Sequence, residues 1–192
     1  ALSGVIVSFI RFSTSGSNLI SFVRMEGIDM HPLMVAYIDV GYAVAQLFGG
    51  VMVGLSLKKL IGVKKSLILG LAMSAIFTLI CSFSTNSWLI FLITPLSGLG
   101  YGITYNILLG LAMQPFEKDM REITMGIYQT FFAIGIFYGD KIYALLLQLL
   151  PQTLTGLELS QWVFMLITGL SIITLVFIQL VFNKKHQMFF ED

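Results

Sequence analysis

Six long runs of apolar residues alternate with short polar segments along the chain. The runs cover residues 2–23, 33–57, 66–83, 88–113, 123–150 and 162–182. A helix needs about 20 mostly apolar residues to cross the hydrocarbon core of a bilayer. The pattern therefore predicts six transmembrane helices, joined by short connections into one bundle with no separate soluble domain.

The composition supports a membrane location and excludes several other classes. Hydrophobic residues make up 57% of the chain and charged residues 11%, which a soluble domain could not place on its surface. The net charge of +1 gives no reason to expect nucleic acid as a partner. Cys81 is the single cysteine, so neither an intramolecular disulfide nor a thiolate metal cluster is expected. We expect no cofactor, no metal and no ATP-driven mechanism.

The basic residues predict the orientation in the membrane, because lysine and arginine collect in cytoplasmic loops. One predicted side carries eight of them, Lys58, Lys59, Lys64, Lys65, Lys118, Arg121, Lys184 and Lys185. The opposite side has only Arg24, together with the acids Glu26, Asp29 and Glu158. Both termini should therefore be cytoplasmic.

The first predicted helix carries polar residues along its whole length. At about 100° per residue, Gly4, Ser8, Arg11, Ser15 and Asn18 fall within a narrow arc. A guanidinium facing lipid near the bilayer centre costs several kcal/mol, so Arg11 must face protein or water. Either Arg11 satisfies neighbouring backbone carbonyls, or the face lines a substrate cavity. We favour the cavity, because an arginine that only satisfies carbonyls needs no further polar residues beside it.

The fourth predicted helix gives independent support for a cavity. Tyr101 lies on one face with Tyr105 and Gly98, and Gly102 and Asn106 lie beside that face. The glycines allow close helix approach, and the tyrosines offer an apolar ring and a hydroxyl to a ligand. A glycine packing seam is the alternative interpretation. Tyr101 and Tyr105 are nevertheless too deep for an aromatic belt at the membrane surface.

The second and fifth predicted helices share glycine pairs at a spacing of four residues. Gly50 and Gly54 form one such pair, and Gly135 and Gly139 form the other. Small residues at this spacing let two helix backbones approach closely. These helices are therefore expected to pack tightly against neighbours.

The same two helices each contain one acid, Asp39 and Asp140. Both are predicted to lie about two turns inside the hydrocarbon, where an ionised carboxylate is penalised unless it is paired. A proton carrier needs such a residue. The structural alternative pairs Asp140 with Lys141 or an outer loop, and Asp39 with Arg11 or a helix terminus.

Two stretches resemble the major facilitator superfamily. The stretch GGVMVGLSLKKLIGVKKSLILG, residues 49–70, resembles the basic loop between the second and third helices of a repeat. The stretch REITMGIYQTFFAIGIFYGD, residues 121–140, resembles the start of the eleventh helix in bacterial members. The resemblance implies that residues 1–192 form one domain, the C-terminal six-helix half of a twelve-helix transporter built from inverted three-helix repeats. It also implies a cytoplasmic gate region formed by Gly54, Lys58, Lys59, Gly62, Lys64 and Lys65.

The resemblance further implies which helices do what. The first and fourth should line the cavity, the second and fifth should contact the other half, and the third and sixth should lie at the lipid-facing rim. The implied function is proton-coupled transport of a small organic solute by alternating access, with drug or metabolite efflux across a bacterial inner membrane favoured. The partner would be the N-terminal half, or a second copy of this half.

Two other functions fit some of the residues. A non-transporting assembly or scaffold half would need a homodimer to explain the polar face of the first helix. An intramembrane aspartyl protease would use Asp39 and Asp140 as a carboxylate pair that shares a proton.

Overall fold

The computed structural model describes residues 2–151 and 153–181, and this part of the chain is α-helical. Its α-helices are α1 (Leu2–Ser13), α2 (Ser17–Val23), α3 (Pro32–Met52), α4 (Lys58–Ile61), α5 (Val63–Phe83), α6 (Ser87–Met113), α7 (Arg121–Leu149) and α8 (Gly156–Val181). A π-helix, Val53–Leu57, joins α3 to α4, and a 3-10 helix, Lys118–Met120, precedes α7. The predicted end of the sixth helix at Phe182, and Lys184 and Lys185 beyond it, lie outside the described residues.

Five of the predicted membrane spans are present as long apolar helices. They are Pro32–Ile61, Val63–Phe83, Ser87–Met113, Lys118–Leu149 and Gly156–Leu180. Each is long and apolar enough to cross a bilayer. The prediction of an all-helical integral membrane protein is confirmed.

The first predicted helix, in contrast, is interrupted. It consists of α1, with 12 residues, and α2, with 7 residues. Gly16 lies between them with a φ of 57° and a ψ of −129°, a conformation that side chains rarely adopt. Around it, the Thr14 hydroxyl donates to Ile10 O at 2.8 Å and the Ser15 hydroxyl to Arg11 O at 2.6 Å. Such hydroxyls compete with the backbone for its hydrogen bonds, which weakens a helix interior.

Helix α8 begins before the predicted start at residue 162. Thr155 and Glu158 form a capping box, in which the Thr155 backbone N–H donates to Glu158 Oε2 at 2.8 Å. The Glu158 N–H in turn donates to Thr155 Oγ1 at 3.3 Å. This reciprocal pair satisfies donors that a helix start leaves unpaired, and it adds a polar first turn to the apolar run.

The helices pack in pairs around two hydrophobic clusters. Helix α3 packs along α6, α6 also packs on α5, α5 on α8, and α1 on α7. One cluster surrounds Phe22, Phe77 and Phe164. The other surrounds Leu67 and Ile103. Helices α1, α3, α6 and α7 carry most of the polar residues of the candidate site described below.

Glycines set the separation of the packed pairs. A β-carbon on Gly98 would overlap the carbonyl oxygen of Tyr42, and one on Gly102 would overlap that of Gln46. The backbones of α6 and α3 are therefore in direct contact at two successive turns.

Alanine at Gly98 or Gly102 should destabilise the protein, because a rigid backbone carbonyl cannot move away as a side chain could. Overpacking of this kind costs about 1–3 kcal/mol. Thermal unfolding in detergent should show a lower Tm for both variants. Gly169→Ala is the control, since a β-carbon there meets nothing within 4 Å. Equal Tm values for all three variants would contradict the close contact of α3 and α6.

The five long helices are buried to different extents within the protein. In the most apolar windows of α3 and α7, 28% and 22% of the residues are buried, compared with 56% in α5. Helix α5, the third predicted helix, packs on α6 and α8 and still exposes Ile76, Leu79 and Phe83, so its place at a lipid-facing rim stays a prediction. Helices α3 and α7 present the most uncovered apolar surface.

Candidate functional site

Asn18 bridges the interruption in the first membrane helix. Its side-chain amide, Nδ2, donates to Phe12 O at 3.2 Å and to Ser13 O at 3.3 Å. These carbonyls stand at the end of α1, where the helix offers them no N–H partner. The same nitrogen donates to Asp140 Oδ1 at 2.9 Å. One amide therefore links both halves of the broken helix to a carboxylate on α7.

The backbone of α7 comes close to the interruption because of Gly139. A β-carbon there would lie 2.9 Å from Phe12 Cβ. The Ser13 hydroxyl donates to Gly139 O at 3.2 Å, which joins the two helices directly before Asp140. The alternative in which Asp140 pairs with Lys141 is not found, because Lys141 lies over the Phe137 ring, 4.0 Å from its centroid.

Arg11 lies one turn before the interruption and reaches across to α3. Its guanidinium carbon is 3.7 Å from the centroid of the Tyr42 ring and 5.5 Å from that of Tyr101. Cation–π contact of this kind stabilises a charge away from water. The Arg11 Nη1 atom is nevertheless buried without a hydrogen-bond partner among the described residues. A buried donor in this state is costly, and an acceptor that reached it would be bound strongly.

Hydroxyl groups surround a small space beside Arg11. This cavity of about 10 Å³ is lined by Val7, Ile10, Arg11, Thr14, Leu71, Ser74, Ser97, Tyr101 and Thr104. A volume of this size holds about one water molecule. An organic solute therefore cannot bind in this cavity.

Four aromatic rings fill the space between α6 and α7. They lie between Arg11 and the lysine-rich end of the bundle. They belong to Tyr101, Tyr105, Tyr128 and Phe132, with neighbouring centroids 5.0–6.5 Å apart. Gln129 donates from Nε2 to the Tyr105 hydroxyl, which ties the two helices together. Tyr101 and Tyr105 were predicted to lie on the cavity face, whereas Tyr128 and Phe132 were not predicted as site residues.

The predicted cavity residues Ser8, Ser15 and Asn106 have different surroundings. Ser8 is fully buried against Gly135 of α7 and donates to Val5 O at 3.0 Å, so it does not line an open cavity. Ser15 is buried and bonded to its own helix. Asn106 is exposed, and its amide lies 2.7 Å from the position of a β-carbon on Gly50. The predicted arc assumed one straight helix with a free face, whereas α7 covers part of that face.

Asp39 and Asp140 lie on helices that pack against different neighbours. Asp39 is partly buried on α3, which packs on α6, whereas Asp140 is exposed on α7 and bonded to Asn18. A proton-sharing pair requires two adjacent carboxylates, and the carboxylate of Asp140 is occupied by an amide instead. The arrangement expected for an aspartyl protease is therefore not what the structure shows.

The predicted gate region is more helical than expected. Gly54 lies in the π-helix, Lys58 and Lys59 open α4, and Lys65 lies in the first turn of α5. Gly62 separates α4 from α5 with a φ of 80° and a ψ of 161°, a conformation almost restricted to glycine. Lys64 Nζ donates to Gln179 O of α8 at 3.1 Å. The lysines are therefore held on a tight corner rather than on a long loop.

No group of three or more metal-ligating side chains occurs within residues 2–151 and 153–181.

Apolar helices, one of them interrupted beside a deep arginine and a carboxylate, define a polytopic membrane protein of the transporter class. The chain belongs to the Major Facilitator Superfamily, whose sequence model matches residues 1–187. The resemblance of residues 49–70 and 121–140 to this family is thereby confirmed. A search of curated proteins found no match. Members of the superfamily are membrane transporters rather than enzymes, so the chain is assigned to the membrane transporters.

Proposed function

We propose that this chain is one half of a proton-coupled transporter that moves a small organic solute with an anionic group by alternating access. The observation that carries the proposal is the buried Nη1 of Arg11, which has no hydrogen-bond partner among the described residues and lies beside aromatic rings and an interrupted helix. Broken helices near the bilayer midplane form the binding sites of many secondary transporters. Efflux is favoured, because residues 121–140 resemble bacterial exporters.

The solute is expected to carry a carboxylate or a similar anion, because of the charge at Arg11. A guanidinium donates two parallel hydrogen bonds to such a group, and these are stronger than bonds between neutral partners. Tyr42 and Tyr101 lie against the guanidinium, with ring centroids 3.7 and 5.5 Å from its carbon atom. The neighbouring tyrosine rings would cover an apolar part of the solute.

Proton coupling is assigned to Asp140. Asn18 donates a hydrogen bond to this carboxylate and, through the same nitrogen, holds the end of α1. A protonated carboxyl accepts this bond less strongly, since charge-assisted hydrogen bonds are about twice as strong as neutral ones. Gain of a proton would therefore loosen the contact between α7 and the interrupted helix. Asp39 remains the second candidate for proton coupling. Among the described residues, no comparable hydrogen bond joins it to the interrupted helix.

The partner half is proposed to cover α3 and α7, which have the least burial within the chain. The large exposed side chains of α3 include Leu47, which is 70% exposed, and Phe48, which is 63% exposed. An N-terminal half of the same polypeptide is favoured, in a bacterial inner membrane with both termini cytoplasmic. The intact mass of the native polypeptide tests this, since a mass near twice 21.3 kDa is expected. A mass near 21.3 kDa would instead require two copies.

A binding screen tests the proposed solute class without a transport assay. A panel of small organic anions, with neutral and cationic analogues of the same size, is added to the purified protein during thermal unfolding. A ligand that binds only the folded state raises the Tm. Anions should stabilise the wild type and fail to stabilise Arg11→Met. Preferential stabilisation by cations, or by anions in both proteins, would contradict the proposal.

A further inference from the structure

A pocket of about 290 Å³ opens at the basic end of the bundle, where α4, α5, α6 and α7 meet. Eight described residues line it, namely Lys58, Val63, Ile107, Gly110, Leu111, Met113, Gln114 and Arg121. The pocket is separate from the Arg11 site, and it shares only Lys58 with the predicted gate region.

Two cations occupy this pocket without an acidic neighbour in its lining. Lys58 comes from α4 and Arg121 from the first turn of α7, and none of the described lining residues is acidic. Arg121 Nε donates to Phe116 O at 3.2 Å, which fixes the guanidinium near the end of α6. Two positive charges that line one pocket can bind a group with more than one anionic oxygen.

Apart from Gln114, the other described residues that line the pocket are apolar. Val63, Ile107, Leu111 and Met113 supply its hydrocarbon wall. A highly exposed leucine lies close by in sequence, since Leu60 is 76% exposed and follows Lys58 by two residues. Cations above an apolar wall match a molecule with a charged head and hydrocarbon chains.

The surrounding charge is also positive. Among the described residues, this end of the bundle carries six basic residues and three acids, namely Lys58, Lys59, Lys64, Lys65, Lys118 and Arg121 against Glu117, Asp119 and Glu122. None of the three acids lines the pocket. Lysine and arginine at the membrane surface attract the anionic lipids of the cytoplasmic leaflet.

We infer that this pocket binds the headgroup phosphate of an anionic phospholipid. The guanidinium of Arg121 would bind two phosphate oxygens, and the Lys58 ammonium would act as a point charge. The acyl chains would leave along the apolar wall. A free inorganic anion would use the two cations but not the wall, and a side-chain carboxylate would leave much of the volume unfilled. The inference depends on the membrane location and not on the proposed solute.

Native mass spectrometry of the purified protein tests this inference with two defined lipids. Phosphatidylglycerol should be retained more strongly than phosphatidylcholine by the wild type. Lys58→Gln and Arg121→Gln should each weaken phosphatidylglycerol retention about five-fold, the contribution of one cation near an anionic surface. Lys59→Gln and Lys118→Gln are matched controls, because these neighbouring residues do not line the pocket, and they should change retention little.

Three outcomes would overturn the inference. Equal loss in all four variants would mean diffuse attraction to the basic surface. Equal retention of the two lipids by the wild type would mean that headgroup charge is not recognised. Displacement of the lipid by free glycerol phosphate at equal concentration would mean a site for a soluble anion. Thermal unfolding of each variant checks that the fold is intact.

Discussion

Arg11→Met is expected to abolish transport while leaving the protein folded. The methionine keeps an unbranched apolar chain near Tyr42 but removes the donors that would bind the anion. Charged hydrogen bonds contribute up to about 3 kcal/mol each, so uptake below saturation should fall about 100-fold. The Tm should stay equal or rise, because in the wild type Nη1 is buried with no hydrogen-bond partner in the described part of the chain.

Two further variants separate this role from a structural one. Arg11→Lys keeps the charge but loses the planar fork, so it should recover only part of the uptake. Arg24→Met, at an exposed arginine beyond α2, should transport like the wild type. Unfolding of Arg11→Met, or wild-type uptake by it, would show that Arg11 serves packing rather than solute binding.

Asp140→Asn is expected to separate solute movement from the proton gradient. Asparagine can still accept the hydrogen bond from Asn18 through Oδ1, so the contact between α7 and the interrupted helix persists. It cannot release or gain a proton in the physiological range. Accumulation against a gradient in proteoliposomes should fall to the level measured without a pH gradient. Exchange of labelled for unlabelled solute, which needs no net proton transfer, should continue.

Substitutions of two other acids serve as comparisons for Asp140→Asn. Glu122→Gln lies on the same helix at its exposed start and should retain accumulation. Asp39→Asn tests the second candidate. If Asp39→Asn loses accumulation and Asp140→Asn keeps it, the proton is carried on α3, and the link through Asn18 is structural only.

The membrane spans could be predicted because their signal is local and continuous. A run of about 20 apolar residues identifies a helix whatever its neighbours are. Details at the helix ends were also present in the sequence, since Thr155 and Glu158 have the spacing of a capping box. The interruption at Gly16 was missed, although three consecutive hydroxyl residues and a glycine are an unfavourable sequence for a helix interior. Apolar residues on both sides of this segment led to the prediction of one continuous helix.

The candidate site could be predicted residue by residue but not as an arrangement. Arg11, Asn18 and Asp140 were each singled out, because polar groups are costly in a bilayer. The bond between Asn18 and Asp140 joins residues 122 positions apart and depends on how α1 and α7 rotate against each other. The burial of Ser8 has the same origin, since the absence of a β-carbon on Gly135 lets α7 cover it.

Proton flux coupled to solute flux tests the central claim most directly. Proteoliposomes containing the native polypeptide and a trapped pH-sensitive dye receive a gradient of the anion that binds best in the thermal screen. We predict a saturable change of internal pH in the wild type that is absent from empty liposomes, from Arg11→Met and from Asp140→Asn. Solute flux without any pH change, or a pH change that persists in both variants, would contradict proton-coupled transport at this site.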